Sequence, residues 1–97
     1  MKINISSLKF KADKRLLNFI EEKVNKLQQF NHELIDGDVI MRVDNSSDNN
    51  NKTVEIKLFL KGEKLFAEKT ADTFESATDQ AVEALRRQLI KKKSKSR

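Results

Sequence analysis

The spacing of apolar residues restricts what this chain can fold into more than any other feature of its sequence. Between residues 54 and 61, apolar side chains occupy every second position, which is the period of a β-strand with one buried face. Shorter alternating stretches occur at residues 2–6, 39–43 and 65–71. The sequence therefore predicts four strands, and each of them needs a second layer to cover its apolar side.

Two further stretches have the spacing of an amphipathic α-helix. The first covers residues 13–30, and Asp13 is suited to accept hydrogen bonds from its first turn. The second begins at Asp72 or Thr73, and its core-facing residues cluster within about 100° on a helical wheel. The residues of this cluster are Phe74, Thr78, Ala81, Val82, Leu85 and Leu89.

The order of these elements is β-α-β-β-β-α, and one sheet can cover the apolar sides of both helices. The predicted fold is therefore α+β: a two-layer sandwich with a four-stranded sheet and both helices on one face, similar to a double-stranded-RNA-binding domain. Gly37 is interpreted as a break before the second strand, and Gly62 as the centre of a hairpin turn at residues 61–64. The polar residues 44–52 predict a mobile hairpin loop that acts as a spacer.

The residues that most enzyme chemistry needs are scarce. The chain contains no cysteine, two glycines and a single histidine, His32, which argues against a disulfide framework, a glycine-rich phosphate loop and a metal site. No apolar run is long enough to span a bilayer, and the N-terminus lacks the apolar core of a secretion signal. We therefore expect a cytoplasmic binding or structural protein, not an enzyme, with no cofactor and no metal.

Positive charge is concentrated at the C-terminal end. Residues 85–97 contain seven basic residues and no acidic one, whereas residues 1–84 have a net charge of −2. So uneven a distribution indicates either a polyanionic partner or a solvated tail that keeps the protein soluble. A membrane surface is disfavoured, because only Leu89 and Ile90 could accompany the basic residues into lipid.

The helical wheel places most of these basic residues on the outward sides of the second helix. Lys92 falls on the core side, where a charge would be costly to bury, so the helix should extend past the sheet by about residue 91. We expect residues 1–90 to form one domain and residues 91–97 to be a basic tail that continues the helix. Arg87 and Lys91 lie on one outward side, Arg86 and Lys93 on the other, and Lys95 lies nearer the core side.

The first helix extends this surface if its basic side faces the second helix. Arg15, Lys23 and Lys26 share one side of it, away from the acidic residues 21 and 22. The basic residues of both helices would then form one stripe, and a phosphate backbone is the natural partner of such a stripe.

Two segments of the chain resemble those of a known family, the ribosome hibernation-promoting factors, also called ribosome-associated inhibitors or sigma-factor modulation proteins. INISSLKFKADKRLLNFIEEKVNKLQQF is similar to their first strand and helix, and FAEKTADTFESATDQAVEALRRQLIKKKSK to their last strand and helix. The helix motif carries the resemblance most specifically. Its residues are Asp79, Leu85, Arg87, Gln88, Leu89, Lys91 and Lys93.

The resemblance implies a bacterial cytoplasmic factor of stress or stationary phase. Such a factor binds the small ribosomal subunit and its ribosomal RNA in the 70S ribosome, occupies the channel for messenger and transfer RNA, inhibits translation and modulates ribosome dimerisation. Neither a membrane nor a small-molecule substrate is implied. By position, the RNA-binding residues are Lys23, Lys26, Arg87, Lys91 and Lys95, and charge and geometry add Arg86, Lys92 and Lys93.

The chain departs from the family pattern at three places. Ala84 stands where the family usually has lysine, so one phosphate contact is expected to be missing. Glu75 stands where the family has tyrosine, which bears on packing. Long members continue into a second domain, and this chain is expected to be a short form.

Two functional alternatives remain open at this point. One is a general RNA-binding protein without preference for ribosomes, which would need the same basic stripe. The other is a protein-interaction module that uses Phe59 and Phe66 on the sheet face away from the helices.

Overall fold

The structure, a computed structural model, describes residues 1–44 and 49–95, with side chains described as far as residue 92. A four-stranded mixed sheet packs one face against two helices, in the order β-α-β-β-β-α, and the predicted α+β fold is confirmed. The elements are β1 (Lys2–Ser7), α1 (Lys14–Asn25), a 3-10 helix (Lys26–Phe30), β2 (Leu34–Val43), β3 (Lys52–Leu60), β4 (Glu63–Ala71) and α2 (Phe74–Lys95).

The strands lie in the order β1-β2-β3-β4, so that β1 and β4 form the edges of the sheet. β1 pairs with β2 in parallel, and α1 makes the crossover that a parallel pair requires; the other pairs are antiparallel. α2 packs on β3 and β4 and also contacts α1. The core between the layers consists of Ile20, Val24, Leu27, Leu34, Val39, Met41, Val54, Ile56, Leu58, Leu60, Ala67, Ala71, Ala77, Ala81, Leu85 and Leu89.

Gly37 does not break the chain before β2, contrary to the sequence interpretation. The strand runs through this residue and begins at Leu34, with an irregular register between Leu34 and Asp36. A Cβ atom on Gly37 would lie 3.3 Å from Leu58 Cδ2 and 3.7 Å from Val24 Cγ1. Gly37 therefore lies inside the strand against side chains of β3 and α1, and the closest of them, Leu58, would have to shift slightly to accommodate a Cβ atom.

The ends of the helices follow the predicted caps. Asp13 Oδ1 accepts a hydrogen bond of 2.8 Å from the backbone N–H of Leu16, and Thr73 Oγ1 accepts one of 3.0 Å from that of Ser76. The first helix was predicted to continue to residue 30, but its last five residues form a 3-10 helix. Such tightening is common where a helix ends, and it leaves Leu27 buried in the core.

Both predicted turns connect antiparallel strands. Gly62 has a φ of +78°, a conformation that glycine adopts without steric cost, and it connects β3 to β4 as predicted. At the other turn, the N–H of Asp44 donates a 2.8 Å hydrogen bond to the carbonyl of Asn51. Residues 45–48, which belong to the predicted mobile loop, lie outside the described residues.

Thr78 is a polar residue in the core, and replacing it with valine is expected to stabilise the fold. Its side chain is 0% exposed, and its hydroxyl has no hydrogen-bond partner among the described residues. Valine keeps the shape and removes the unpaired hydroxyl, so Thr78→Val should raise the free energy of unfolding by about 1 kcal/mol. Urea unfolding followed by circular dichroism measures the change.

Thr53 provides the matched control, because it is equally buried but its hydroxyl is paired. It donates to Asp44 Oδ2 at 2.6 Å and lies 2.8 Å from Thr70 Oγ1. Thr53→Val should therefore lower the free energy of unfolding. A destabilised Thr78→Val would show that the Thr78 hydroxyl has a partner in solution.

Candidate nucleic-acid interface

The outer surface of α2 carries most of the predicted site. The helix is anchored by Leu85 and Leu89, which are both fully buried, and Ile90 is already 41% exposed. Lys92 forms an ion pair with Glu63, the first residue of β4, at the end of the sheet. Lys92 therefore lies at the margin of the sheet, beside the start of β4.

α1 joins this surface through a contact between the two helices. Lys23 Nζ lies 3.3 Å from Asp79 Oδ1 of α2 and 5.5 Å from the centre of the Phe19 ring. The side of α1 that contains Lys23 therefore faces α2, which is the arrangement that a continuous basic stripe requires. Lys26 is the first residue of the 3-10 helix, and it is exposed.

Glu83 holds two of the predicted arginines. Arg86 donates to both carboxylate oxygens of Glu83, at 2.9 and 2.6 Å, and Arg87 donates to one of them at 3.1 Å. The hydrogen bond from Arg86 is the main cause that lowers the pKa of Glu83 to about 2. The same pairing raises the pKa of Arg86. One carboxylate therefore neutralises half of the charge of this arginine pair at any physiological pH.

Replacing Arg86 with alanine is expected to raise the pKa of Glu83 from about 2 toward its ordinary value of 4.5. The value should stay somewhat below 4.5, because Arg87 remains within hydrogen-bond distance. The folded state gains stability from this ionised carboxylate above about pH 4.5, and the gain is lost as the pH falls through about 2. A carboxyl carbon NMR titration of both proteins between pH 1.5 and 7 measures the shift.

Arg42 supplies the control for that titration, since it lies on the opposite face of the sheet. Arg42→Ala should leave the titration of Glu83 unchanged. An unchanged Glu83 pKa in Arg86→Ala would mean that Arg86 does not pair with it in solution.

The eight predicted RNA-binding residues thus differ in their surroundings. Lys23, Arg86, Arg87 and Lys92 are each paired with a carboxylate, whereas Lys26 and Lys91 are exposed and lack such a partner among the described residues. The side chains of Lys93 and Lys95 lie outside the described part of the chain.

A basic residue that the sequence interpretation missed lies beside α2. Lys69 of β4 lines a shallow groove together with Gln80, Ala84 and Arg87. Ala84 is the position at which the family resemblance predicted a missing cation. The alternation of β4 already puts Lys69 on the helix side of the sheet, but only the position of β4 at the edge leaves its ammonium group accessible.

The face of the sheet away from the helices, here called the open face, has a different charge balance. Arg42 forms ion pairs with Asp44, Glu55 and Glu68, and the distance from Arg42 Nη2 to Glu68 Oε2 is 2.5 Å. The hydrogen bond from the Thr53 hydroxyl and the pairing with Arg42 lower the pKa of Asp44. Three carboxylates around one guanidinium leave this part of the open face negative, so it is poorly suited to a phosphate backbone.

Neither a metal-binding cluster nor a membrane-spanning helix occurs among the described residues. Residues 1–44 and 49–95 contain no group of three or more histidine, cysteine, aspartate and glutamate side chains that could hold a metal ion. In the same part of the chain, neither helix is both long enough and apolar enough to cross a bilayer.

Comparison with protein families identifies one match. The family model described as sigma 54 modulation protein / S30EA ribosomal protein matches residues 3–97. None of the curated proteins is significantly similar to the chain.

Solved structures share the fold at low sequence identity. A ribosomal subunit interface protein from Coxiella burnetii is 22% identical, with a TM-score of 0.85 over 98% of this chain and 100% of that one. The N-terminal domain of protein Y from Thermus thermophilus is 18% identical, with a TM-score of 0.81 over 94% of this chain and 98% of that one. At such identities the likeness establishes the fold alone.

Proposed function

Because this chain belongs to the sigma 54 modulation protein / S30EA ribosomal protein family, we propose that it is a ribosome hibernation factor of the bacterial cytoplasm. It binds the small subunit of the 70S ribosome through ribosomal RNA, occupies the channel for messenger and transfer RNA, and inhibits translation. The observation that carries the proposal is the outward placement of Arg87 and Lys91 on α2, since Arg87 is 75% exposed. Production in stationary phase or stress and an effect on ribosome dimerisation are part of the same proposal.

Binding of this kind works by occlusion and requires no catalytic group. The helix layer presents cations to RNA phosphates, and the folded domain fills space that messenger and transfer RNA would otherwise use. Six to eight phosphate contacts would give a slope on the order of −4 to −8 in a log–log plot of affinity against salt concentration.

The ion pairs of the free protein determine how much each cation contributes. Lys23, Arg86, Arg87 and Lys92 exchange a carboxylate for a phosphate when RNA binds, so the net gain at each is reduced. Lys26 and Lys91 give up only water and counterions, among the contacts that the structure describes. We therefore propose that Lys26 and Lys91 contribute most of the affinity, and that Arg87, whose side chain is 75% exposed, contributes the most among the paired cations.

Sedimentation through a sucrose gradient tests the proposal directly. The purified protein is mixed with 70S ribosomes or separated subunits, at low and at raised potassium, with and without excess duplex RNA. Migration with the small subunit and the 70S particle, unchanged by the competitor, is the expected result. Protein that stays at the top, or that any RNA removes equally well, would instead indicate a general RNA-binding protein.

A second candidate is a protein-interaction module on the open face. The observation that favours it is the exposure of Phe66, which is 47% accessible beside Lys57 of β3. In that case, reversing charges on the helices would leave partner binding unchanged.

A further inference from the structure

Lys69 is placed by β4 on the helix side of the sheet. It pairs across the strands with Val54, which is fully buried under the helices, and it alternates with the buried residues Ala67 and Ala71. Because β4 is an edge strand, a long side chain at residue 69 can leave the core and reach solvent beside α2. Lys69 is accordingly exposed although its neighbours on the same side of the strand are buried.

The position of α2 over this edge creates a groove beside Lys69. Gln88 donates a 3.3 Å hydrogen bond to the carbonyl of Phe66, which fixes the helix over β4. One turn earlier, Ala84 presents only a methyl group, so Lys69 and Arg87 line the same groove from two different elements. Gln80 completes this side of the groove with an uncharged side chain.

The charges around the groove favour an anion. Asp79 and Glu83 also line it, but Asp79 is paired with Lys23, and Glu83 is paired with Arg86 and Arg87. The groove and its ion-pair partners therefore contain four positive charges and two negative ones. The cations are Lys23, Lys69, Arg86 and Arg87, and the carboxylates are Asp79 and Glu83. Among the described residues, no carboxylate oxygen lies within ion-pair distance of Lys69, whose charge is left for an external group.

We propose that this groove binds a phosphate of the RNA backbone, with Lys69 and Arg87 as its two cations. The proposal rests on the function proposed above and adds to it a contact from the sheet edge. The guanidinium of Arg87 on α2 supplies directed hydrogen bonds, and the ammonium of Lys69 on β4 supplies a second charge. An open groove suits a continuous backbone, and inorganic phosphate is the rival ligand of the same chemistry.

Replacing Lys69 with alanine tests the contact. At about 0.1 M potassium chloride, Lys69→Ala should weaken binding to ribosomes roughly fivefold to tenfold and make the log–log salt slope less steep by about one, as expected for one lost phosphate contact. Lys64→Ala is the matched control, because Lys64 lies on the same strand but on the open face. It removes the same charge and should change the affinity less than twofold.

Moving the cation within the groove tests its location. In Lys69→Ala/Ala84→Lys, the lysine stem starts from the helix and ends over the same groove, so affinity and salt slope should return toward those of the original chain. Circular dichroism and thermal melting are compared first for all variants.

Inorganic phosphate at 10 mM, in a potassium chloride buffer of matched ionic strength, should leave the affinity unchanged if the groove recognises backbone phosphate in the polymer.

Several outcomes would overturn the inference. They are an unchanged affinity in Lys69→Ala, an equal loss in Lys64→Ala, no recovery in a folded double variant, or competition by inorganic phosphate. None of these outcomes contradicts the proposed function, provided that the original chain binds ribosomes in preference to duplex RNA. If the original chain shows no such selection, the proposed function fails, and the Lys69 series on duplex RNA still tests the phosphate contact.

Discussion

Ribosome binding is expected to fall by at least about a hundredfold when Arg87 and Lys91 are both replaced with glutamate. Each lost phosphate contact costs about tenfold at 0.1 M salt, and the introduced carboxylates add repulsion from the RNA. Both side chains are exposed on α2, one turn apart, so the substitutions leave the core untouched. Co-sedimentation at several potassium concentrations measures the affinity, and far-UV circular dichroism verifies the helix content.

The control for this variant reverses two charges on the other side of the molecule. Lys57 and Lys64 are exposed on the open face beside Phe66 and Phe59, and Lys57→Glu/Lys64→Glu makes the same change in net charge. This variant should retain binding within about threefold, because long-range repulsion between exposed charges is largely screened at physiological salt. If the open-face variant lost binding while Arg87→Glu/Lys91→Glu retained it, the open face would be the interaction surface.

Most of the fold could be predicted because each element has an unambiguous period. The alternation at residues 54–61 matches β3, whose apolar side is buried throughout, and the cap residues Asp13 and Thr73 start the helices as expected. Gly37 could not be interpreted correctly, because a glycine in a turn and a glycine under a helix look the same in sequence. Only the tertiary packing of Val24 and Leu58 against it distinguishes the two.

The candidate site was predicted less completely, because a net charge does not show which charges are paired. The contacts of Glu83 with Arg86 and Arg87 have i,i+3 and i,i+4 spacing on a helix and could have been found in the sequence. The pairs Lys23–Asp79 and Lys92–Glu63 connect distant segments, and their existence depends on the packing of α2. Lys69 was missed for the same reason, since its alternation with buried alanines resembles that of a core position.

The two faces of the molecule differ in charge, which explains how one small domain can present the proposed phosphate-binding surface on one face alone. The acidic residues around Arg42 on the open face more than neutralise it, whereas the outer side of α2 retains an excess of cations. The alternation of the β-strands and the rotation of α2 about its axis therefore determine on which face each charged side chain lies. The rotation of α2 depends in turn on the residues that anchor it to the sheet.

Leu85→Ala is expected to be the most destabilising single substitution considered for this chain. Leu85 is 0% exposed at the centre of the apolar side of α2, and its truncation leaves a cavity between helix and sheet. The expected loss is about 2–5 kcal/mol, which is a large part of the roughly 5–15 kcal/mol that stabilises a typical small domain. Urea unfolding followed by circular dichroism should show a lower midpoint at an unchanged slope.

Ile90→Ala is the matched control, because Ile90 is on the same helix but 41% exposed. It should change the free energy of unfolding by no more than about 0.5–1 kcal/mol. Equal losses in the two variants would mean that α2 is rotated from the position described, and Arg87 and Lys91 would then no longer point outward. Because the same rotation buries Leu85 and exposes Arg87, the stability of the domain and the direction of the proposed RNA-binding surface depend on one packing arrangement.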